Sequence, residues 1–304
     1  NVPLKNHTTF KIGGPAKYFL IAKEKSQIAK ALKLAQKLNL ATFILGGGSN
    51  ILASDKGFDG LVIKLQNKNH PFSIKKGNIV EVPAGVSVKD LVAFSTKNSL
   101  QGFEWAGGLP GTVGGAVRGN AGAFGGETKD TMVWVECLDD KLQVKKLTNK
   151  QCQFSYRNSI FKEKNWIVLT CAIQFKSGDK KELQKIAQAN MDYRATRHPL
   201  EFPNAGSIFK NYDFAKLSEA LQQEFSALVK QDPFPIVPTV HFILRSELKG
   251  IKIGGAQVSE KHPNFIVNIA AATAQNVLDI IAHNQKTIKQ KYDIDIEVEV
   301  QFLN

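Results

Sequence analysis

Nine glycines fall between positions 107 and 126, at 107, 108, 111, 114, 115, 119, 122, 125 and 126, and the residues around them constrain the fold more than any other feature. A flexible tether would fill the gaps with Ser, Gln or Glu. Here Leu109, Val113, Ala116, Val117, Ala121, Ala123 and Phe124 fill them. The stretch therefore reads as a buried, close-packed loop system, where backbones approach because glycine has no Cβ. Composition agrees. At 43% hydrophobic and 22% charged, the 304 residues can bury a full-sized core, which excludes disordered, collagen-like and coiled-coil proteins. At about 100–200 residues per domain, two or three domains are expected.

A second cluster, Gly46-Gly47-Gly48-Ser49-Asn50, follows an apolar strand pattern over 42–45. Loops in that position often present backbone N–H groups to an anion. It is not G-x-G-x-x-G and no Gly-Lys-Ser/Thr follows, so neither a Rossmann fingerprint nor a P-loop is present. Taken alone, it reads more readily as a tight structural turn than as a phosphate site. Two glycine-rich apolar loops in one domain suggest a long ligand threaded between them, such as a dinucleotide.

The periodicity gives an α+β class. Strands are expected at 18–22, 42–45, 61–65, 79–82, 132–138, 143–147 and 166–175, and amphipathic helices over 26–38 and 87–95. The stretch 180–197 predicts a long polar helix and marks the expected domain boundary. Thr273 is placed to cap a helix running to Tyr292, with Val277, Ile281 and Ile288 on one stripe. From Ile294 to Phe302, apolar residues alternate with Asp295, Glu297, Glu299 and Gln301, the pattern of a half-buried strand with its acids on one face.

The net charge of +13 favours anionic partners without choosing among nucleic acid, nucleotides and other phosphorylated ligands. No block of five or six basic residues marks a nucleic-acid arm. The aromatics are mostly Phe in apolar strand positions and do not interleave with Lys and Arg as a base-stacking groove would. Three cysteines, Cys137, Cys152 and Cys171, without a Cys-x-x-Cys pair argue against a disulfide framework or zinc site and fit a reducing compartment. His198, His241 and His262 lack metal spacing, so no metal is expected. No apolar run reaches the roughly 18 residues of a membrane span, and residues 1–10 lack the apolar core of a signal peptide. A cytoplasmic protein is expected.

Single residues are less decisive. Arg157, in Tyr156-Arg157-Asn158-Ser159 between strands, reads as a surface cation or as an anion partner. Ser207 follows Gly206 without a G-x-S-x-G elbow and reads as a turn hydroxyl. Glu299 reads as a solvated carboxylate on the strand's outer face. The residues alone thus give an anion-binding, dinucleotide-dependent α+β protein without naming the reaction.

Read in order, the motifs resemble a known family. These are Asn6-His7-Thr8-Thr9-Phe10-Lys11-Ile12-Gly13-Gly14-Pro15-Ala16, the cluster from Gly46 to Leu52, Gly108-Leu109-Pro110-Gly111-Thr112-Val113-Gly114-Gly115-Ala116, and Asn120-Ala121-Gly122-Ala123. They continue through Tyr156–Ser159, Ala205-Gly206-Ser207-Ile208-Phe209-Lys210-Asn211, Leu248-Lys249-Gly250, Ile253-Gly254-Gly255-Ala256, residues 262–268 and Glu297-Val298-Glu299-Val300. Together they cover almost the whole chain and resemble the UDP-N-acetylenolpyruvoylglucosamine reductases of bacterial peptidoglycan synthesis, in the form lacking an extra tyrosine-bearing loop.

The resemblance implies a two-part FAD-binding module of the vanillyl-alcohol-oxidase (PCMH) type over 1–178, with subdomains of about 1–65 and 66–178, and a substrate-binding α+β domain over 190–304. It implies noncovalent FAD held by Gly46, Gly47, Gly48, Ser49, Asn50, Gly108, Gly111, Thr112, Gly114, Gly115, Asn120, Ala121 and Gly122. NADPH would be the reductant and a UDP-sugar enolpyruvyl ether the substrate. Arg157 matches the family's charge-stabilising arginine, Ser207 its proton donor and Glu299 its assisting carboxylate. Asn211 and Lys249 match substrate contacts, Lys249 at the UDP diphosphate, and Arg197 occupies the place of a basic residue. A monomer without nucleic-acid partners is expected. The interval 212–247 is longer than the family's and carries no clear counterpart of its basic UDP contact. A sugar or lactone oxidase on the same flavin fold, and a basic nucleic-acid-binding protein, are the alternative readings.

Overall fold

The computed structural model describes residues 1–68 and 70–304. The chain forms two compact units, and neither is a continuous stretch of sequence. The first takes residues 1–2, 16–47 and 59–196, and the second takes 3–15, 48–58 and 197–304.

In the first unit, a four-stranded sheet runs in the order Val2–Pro3, Pro15–Ala22, Phe58–Leu65, Ala41–Leu45. Ala41–Leu45 lies parallel to Phe58–Leu65. Helix Lys25–Lys37 connects the strands and buries Ile28, Leu32 and Ala35, the apolar stripe of its sequence. A five-stranded antiparallel sheet runs in the order Val144–Thr148, Met132–Leu138, Ile167–Gln174, Ile79–Pro83, Ile74–Lys75. Its central strand Ile167–Gln174 is buried over six consecutive residues, so no alternation marks it in sequence. Helix Val88–Lys97 starts where Ser87 Oγ accepts from Asp90 N at 3.0 Å. Val80, Leu91, Phe103, Val117, Val135 and Phe161 share one core with the three cysteines.

The expected helix over 180–197 is present, and the chain passes from first unit to second at its end, between Thr196 and Arg197. It is not a tether. Ala187 closes on Gly107, and Arg194, only 7% exposed, donates from Nε to the Gly107 carbonyl at 3.0 Å.

In the second unit, Asn204–Ser207, Phe265–Asn268, Ala256–Val258 and Lys252–Ile253 form an antiparallel sheet in that order. Helix Ala274–Tyr292 is capped by Thr273, whose hydroxyl accepts from Asn276 N at 3.1 Å, and buries Val277, Ile281 and Ile288 as its sequence implies. The Asp55 carboxylate accepts from Ala274 N at 2.8 Å and Gln275 N at 3.2 Å, placing negative charge at the positive end of the helix. Strand Ile51–Ala53 pairs in parallel with Gln301–Leu303.

Two expectations change. The segment from Ile294 is not one strand: Ile294, Ile296 and Val300 are buried as expected, but only Gln301–Leu303 is regular strand. The phase slips after Val300, leaving Phe302 exposed at 41% and Leu303 buried. The chain changes partner there, from an antiparallel bridge between Val298 and Phe209 to the parallel pairing with Ile51–Ala53. The second change is Phe124, expected as packing within the buried glycine loop. It is 44% exposed, with φ +52 at the tip of the hairpin pairing Gly122–Ala123 with Gly126–Glu127.

Candidate active site

The glycine loops of the first unit meet each other. A Cβ on Gly47 would lie 2.6 Å from Gly111 Cα, and one on Gly46 would lie 2.5 Å from Thr112 Oγ1. Close approach, rather than flexibility, is why glycine occupies these positions. Thr112 caps the short helix Val113–Arg118, and Gly114 lets that helix close on Ala84. The N–H groups of Val113, Gly114 and Gly115 are already taken, by Val86 O, Ala84 O and Thr112 Oγ1. Those of Gly47 and Gly48 donate to no backbone carbonyl among the described residues. Donors open to a phosphate therefore lie on the first glycine loop, not at the helix start.

Gly48, Ser49 and Asn50 belong to the second unit. Gly48 has φ +66, and a Cβ there would lie 2.2 Å from the His7 carbonyl oxygen. Its own carbonyl accepts from Thr9 N at 3.0 Å, so the first motif of the chain secures the loop. Asn50 Nδ2 donates to the Glu299 carbonyl at 3.3 Å, and Gln301 N donates to Asn50 O at 3.0 Å.

Ser207 ends strand Asn204–Ser207 and pairs with Phe265. Gly206 before it has φ +79, and a Cβ there would meet nothing within 4 Å. Space is open beside the serine, and the left-handed backbone favours glycine there. Glu299 N donates to the Ile208 carbonyl at 2.7 Å, and Lys210 N donates to Glu297 O at 2.9 Å. The second unit thus brings Ser207, Asn50 and Glu299 together. Asn211 lies four residues on, its side-chain oxygen accepting from Thr239 N at 3.3 Å. Lys249 is exposed and paired with Glu260 at 3.5 Å. Arg197 is exposed, in the first residue of the segment 197–304.

Arg157 lies in the first unit, in a tight turn where Ser155 and Asn158 exchange both backbone hydrogen bonds. It has φ +55, an uncommon conformation for a long side chain, and Nη2 donates to the Gly122 carbonyl at 3.0 Å. Asn120, fully buried, holds the turn: its Nδ2 donates to Ser155 O at 3.1 Å while its Oδ1 accepts from Lys129 N at 3.1 Å. Ser159 Oγ donates to Arg118 O at 2.7 Å. Ala121 is tied to Thr128, whose hydroxyl donates to its carbonyl at 2.9 Å. Gly108, with φ +73, lets the loop close on Met191 and Arg194.

One candidate escaped the sequence reading. Arg194 stacks its guanidinium 5.1 Å from the Phe124 ring centroid, and its Nη2 is buried with no hydrogen-bond partner among the described residues. Burial lowers its pKa. A buried arginine is rarely left unpaired, so this nitrogen is a donor waiting for an acceptor. No group of three or more His, Cys, Asp or Glu able to hold a metal occurs among the described residues.

Two apposed glycine loops, open backbone donors at Gly47 and Gly48 and the unpartnered Nη2 of Arg194 suit an anionic ligand, and the family matches make the chain a flavin-dependent oxidoreductase. Residues 16–148 match the FAD binding domain family, and residues 198–303 match the C-terminal domain of UDP-N-acetylenolpyruvoylglucosamine reductase. Relatives carrying that name include one from Bacillus licheniformis, 40% identical over 304 residues and covering 100% of this chain and 93% of the relative. Another, from Clostridium perfringens, is 36% identical over 301 residues, covering 99% and 91%. The crystal structure of the Thermus caldophilus enzyme aligns over 100% of this chain and 98% of its own, with a TM-score of 0.78 and 27% identity. The chain belongs to the UDP-N-acetylenolpyruvoylglucosamine reductase family. Among the described residues, no helix is long and apolar enough to cross a membrane.

Proposed function

We infer that the protein reduces the enolpyruvyl ether of UDP-N-acetylglucosamine to UDP-N-acetylmuramate, with FAD as cofactor and NADPH as reductant, in peptidoglycan precursor synthesis. The observation that carries this reading is the Ser207 neighbourhood. Ser207 follows Gly206, beside which a Cβ would meet nothing within 4 Å, and the next residue, Ile208, accepts at its carbonyl from the backbone N–H of carboxylate-bearing Glu299 at 2.7 Å.

The residues present fit the cofactor. The open N–H groups at Gly47 and Gly48 suit its diphosphate, and the unpaired Nη2 of Arg194 suits an acceptor atom. Gly46, Ser49, Asn50, Gly108, Gly111, Thr112, Gly114, Gly115, Asn120, Ala121 and Gly122 shape or brace the loops around it. Bound FAD supplies the hydride that NADPH delivers to it.

The chain's own residues handle charge and protons. Hydride addition at C3 of the enolpyruvyl group leaves negative charge at C2, delocalised onto the carboxylate as an enolate. Arg157 stabilises that charge, which grows in the transition state. Ser207 gives its hydroxyl proton to C2, and Glu299 assists, since a serine hydroxyl is a weak acid in water. Asn211, Lys249 and Arg197 hold the substrate. The functional modules of this reading are 1–178 for the flavin and 190–304 for the substrate, and the protein acts as a cytoplasmic monomer without a nucleic-acid partner.

The test is a pair of anaerobic half-reactions followed by absorption. NADPH should bleach the flavin, and the enolpyruvyl substrate should restore its colour. A colourless protein that takes up no added FAD would sink the reading.

A further inference from the structure

Helix Lys25–Lys37 carries Lys25, Lys30, Lys33 and Lys37 and no carboxylate. Its buried side is spent on the core of the first unit, where Ile28, Leu32 and Ala35 pack. Its solvent side carries apolar groups as well. Leu34 is 57% exposed, and Leu38, which ends the helix, is 55% exposed. The two stand one turn apart, in line with Lys30. Lys33 and Lys37 flank them. Lys30, Lys33 and Lys37 are all exposed and form no ion pair among the described residues. A face that met only water would carry polar residues at 34 and 38.

The start of this helix is fixed to a second surface of the same kind. Lys25 donates to Glu136 of strand Met132–Leu138. Along the edge strand Val144–Thr148, Val144 lies opposite Leu138, Lys146 opposite Glu136 and Thr148 opposite Trp134. Directly opposed residues share a face of the sheet, so Val144, Lys146 and Trp134 join Glu136 on one side. Val144 is 63% exposed, and the Lys146 ammonium lies 3.8 Å from the Trp134 ring centroid. Residues 141–150 hold lysines at 141, 145, 146 and 150 and no Asp or Glu. Of the acids that adjoin the two segments, Glu24 is engaged in the helix cap and Asp139 is paired with Lys145 at 2.9 Å. Asp140 stands against four lysines.

Lysines without carboxylates, set among exposed aliphatic side chains and a tryptophan, fit a partner that is anionic at its surface and apolar beneath. A second copy of the chain does not fit, because a two-fold contact would set these lysines against themselves. A nucleic-acid backbone would pair with the lysines but give Leu34, Leu38 and Val144 nothing apolar to enter. A lipid bilayer meets both demands. Its headgroups take the ammonium groups, whose methylene stems lie along apolar surface, while the aliphatic side chains reach the acyl boundary.

We propose that helix Lys25–Lys37 and the edge strand Val144–Thr148 form a docking face for an anionic phospholipid bilayer. Attachment is peripheral and reversible, since a few lysines and aliphatic side chains give modest membrane affinity. The face stands apart from the reductase reading, because none of its residues belongs to the proposed catalytic, substrate or flavin set.

Flotation of the FAD-loaded protein with two kinds of vesicle reads the partition: equimolar phosphatidylglycerol and phosphatidylcholine, and phosphatidylcholine alone. Wild type should float with the anionic vesicles and not with the neutral ones, and about 0.5 M salt should release it. The triple variant Lys30→Gln, Lys33→Gln, Lys37→Gln should partition about 10²-fold more weakly, at about fivefold per lysine. Leu34→Ser with Leu38→Ser leaves the charge unchanged and should weaken partition about tenfold. As a control, Lys180→Gln, Lys181→Gln, Lys185→Gln removes the same charge from exposed positions of the helix over 180–197 and should change partition little. Melting temperature and both flavin half-reactions should match wild type in every variant, because each substituted residue is exposed. A wild type that does not float overturns the docking face, and so does equal weakening by the two lysine triples or indifference to the leucine pair. Lysine-dependent binding of a random DNA duplex without flotation gives the face to nucleic acid and overturns the bilayer. In each of these outcomes the half-reactions still judge the reductase reading separately.

Discussion

Asn50 donates its side-chain amide to the backbone carbonyl of Glu299 at 3.3 Å, across 249 positions of sequence. A residue of the first glycine loop thereby fixes the backbone two residues before strand Gln301–Leu303, where the proposed catalytic carboxylate sits. Asn50→Ala should lower kcat for the enolpyruvyl half-reaction more than it lowers flavin content, and it should cost about 1 kcal/mol of stability, the scale of one part-buried hydrogen bond. Stopped-flow reoxidation alongside thermal melts checks this. Equal loss of flavin and rate would place Asn50 in the cofactor site instead.

Ser207→Ala separates the two half-reactions. NADPH bleaching needs no proton donor at C2 and should persist, while reoxidation by substrate should slow by about 10²–10⁴-fold. Rapid-mixing absorbance at the flavin band reads both. A parallel fall in the two rates would make Ser207 a structural residue.

Gly48→Ala and Gly206→Ala should behave differently although both glycines are left-handed. At Gly206 the new methyl meets open space, so the cost is the backbone strain of about 1–2 kcal/mol. At Gly48 it meets the His7 carbonyl at 2.2 Å, adding a clash with backbone that cannot move cheaply. The Gly48 variant should lose FAD on gel filtration or fail to fold, and the Gly206 variant should stay yellow and folded.

The cysteines make stability fall with alkaline pH. Burial, the largest cause, pushes the Cys137 thiol up to about 11 and Cys152 to about 12, from 9.0, and raises Cys171 further. The folded pKa values lie above the unfolded one, so this stability is fully present below about pH 9. It is lost as pH rises toward and through the folded values, because the unfolded chain ionises first. Denaturant midpoints should drop between pH 9 and 11, and less so in Cys152→Ala. A thiol reagent at pH 8 should label none of the three in the native protein and all three in denaturant.

Arg194→Met should raise the dissociation constant for FAD in a fluorescence titration of the apoprotein, and Arg194→Lys should recover only part of it, because a point charge replaces a planar donor stacked near Phe124. Unaltered FAD affinity in the Met variant would mean that Nη2 stays unpaired.

Much of this was legible from the chain. The helices over 26–38 and 273–292 announce themselves by one apolar stripe and a polar face, because each buries a single side. The glycine loops were legible as close-packed for the same local reason. Arg194 was not, since a polar helix pattern says nothing about which of its charges the fold will cover. Nor was the slip at Val300: period-2 reasoning assumes one partner along a strand, and this strand end changes partner. Asn120 read as a cofactor contact, yet its amide is occupied at both ends by Ser155 and Lys129, so its visible role is to brace the Arg157 turn.

The second unit is assembled from three separated pieces, and this imposes an order on its birth. Phe10, Ile12 and Leu52 belong to a core whose other members lie beyond position 204. Among the described residues, strand Ile51–Ala53 pairs with Gln301–Leu303 and no other strand. At about 5–20 residues per second, a ribosome needs roughly ten seconds to a minute to cover that distance. For that interval the nascent chain carries apolar side chains and an unpaired strand edge with nothing to cover them. Trigger-type holdases should therefore engage ribosome-bound intermediates of this chain well after its first hundred residues have emerged, and a version permuted to begin near Arg197 should shed that dependence.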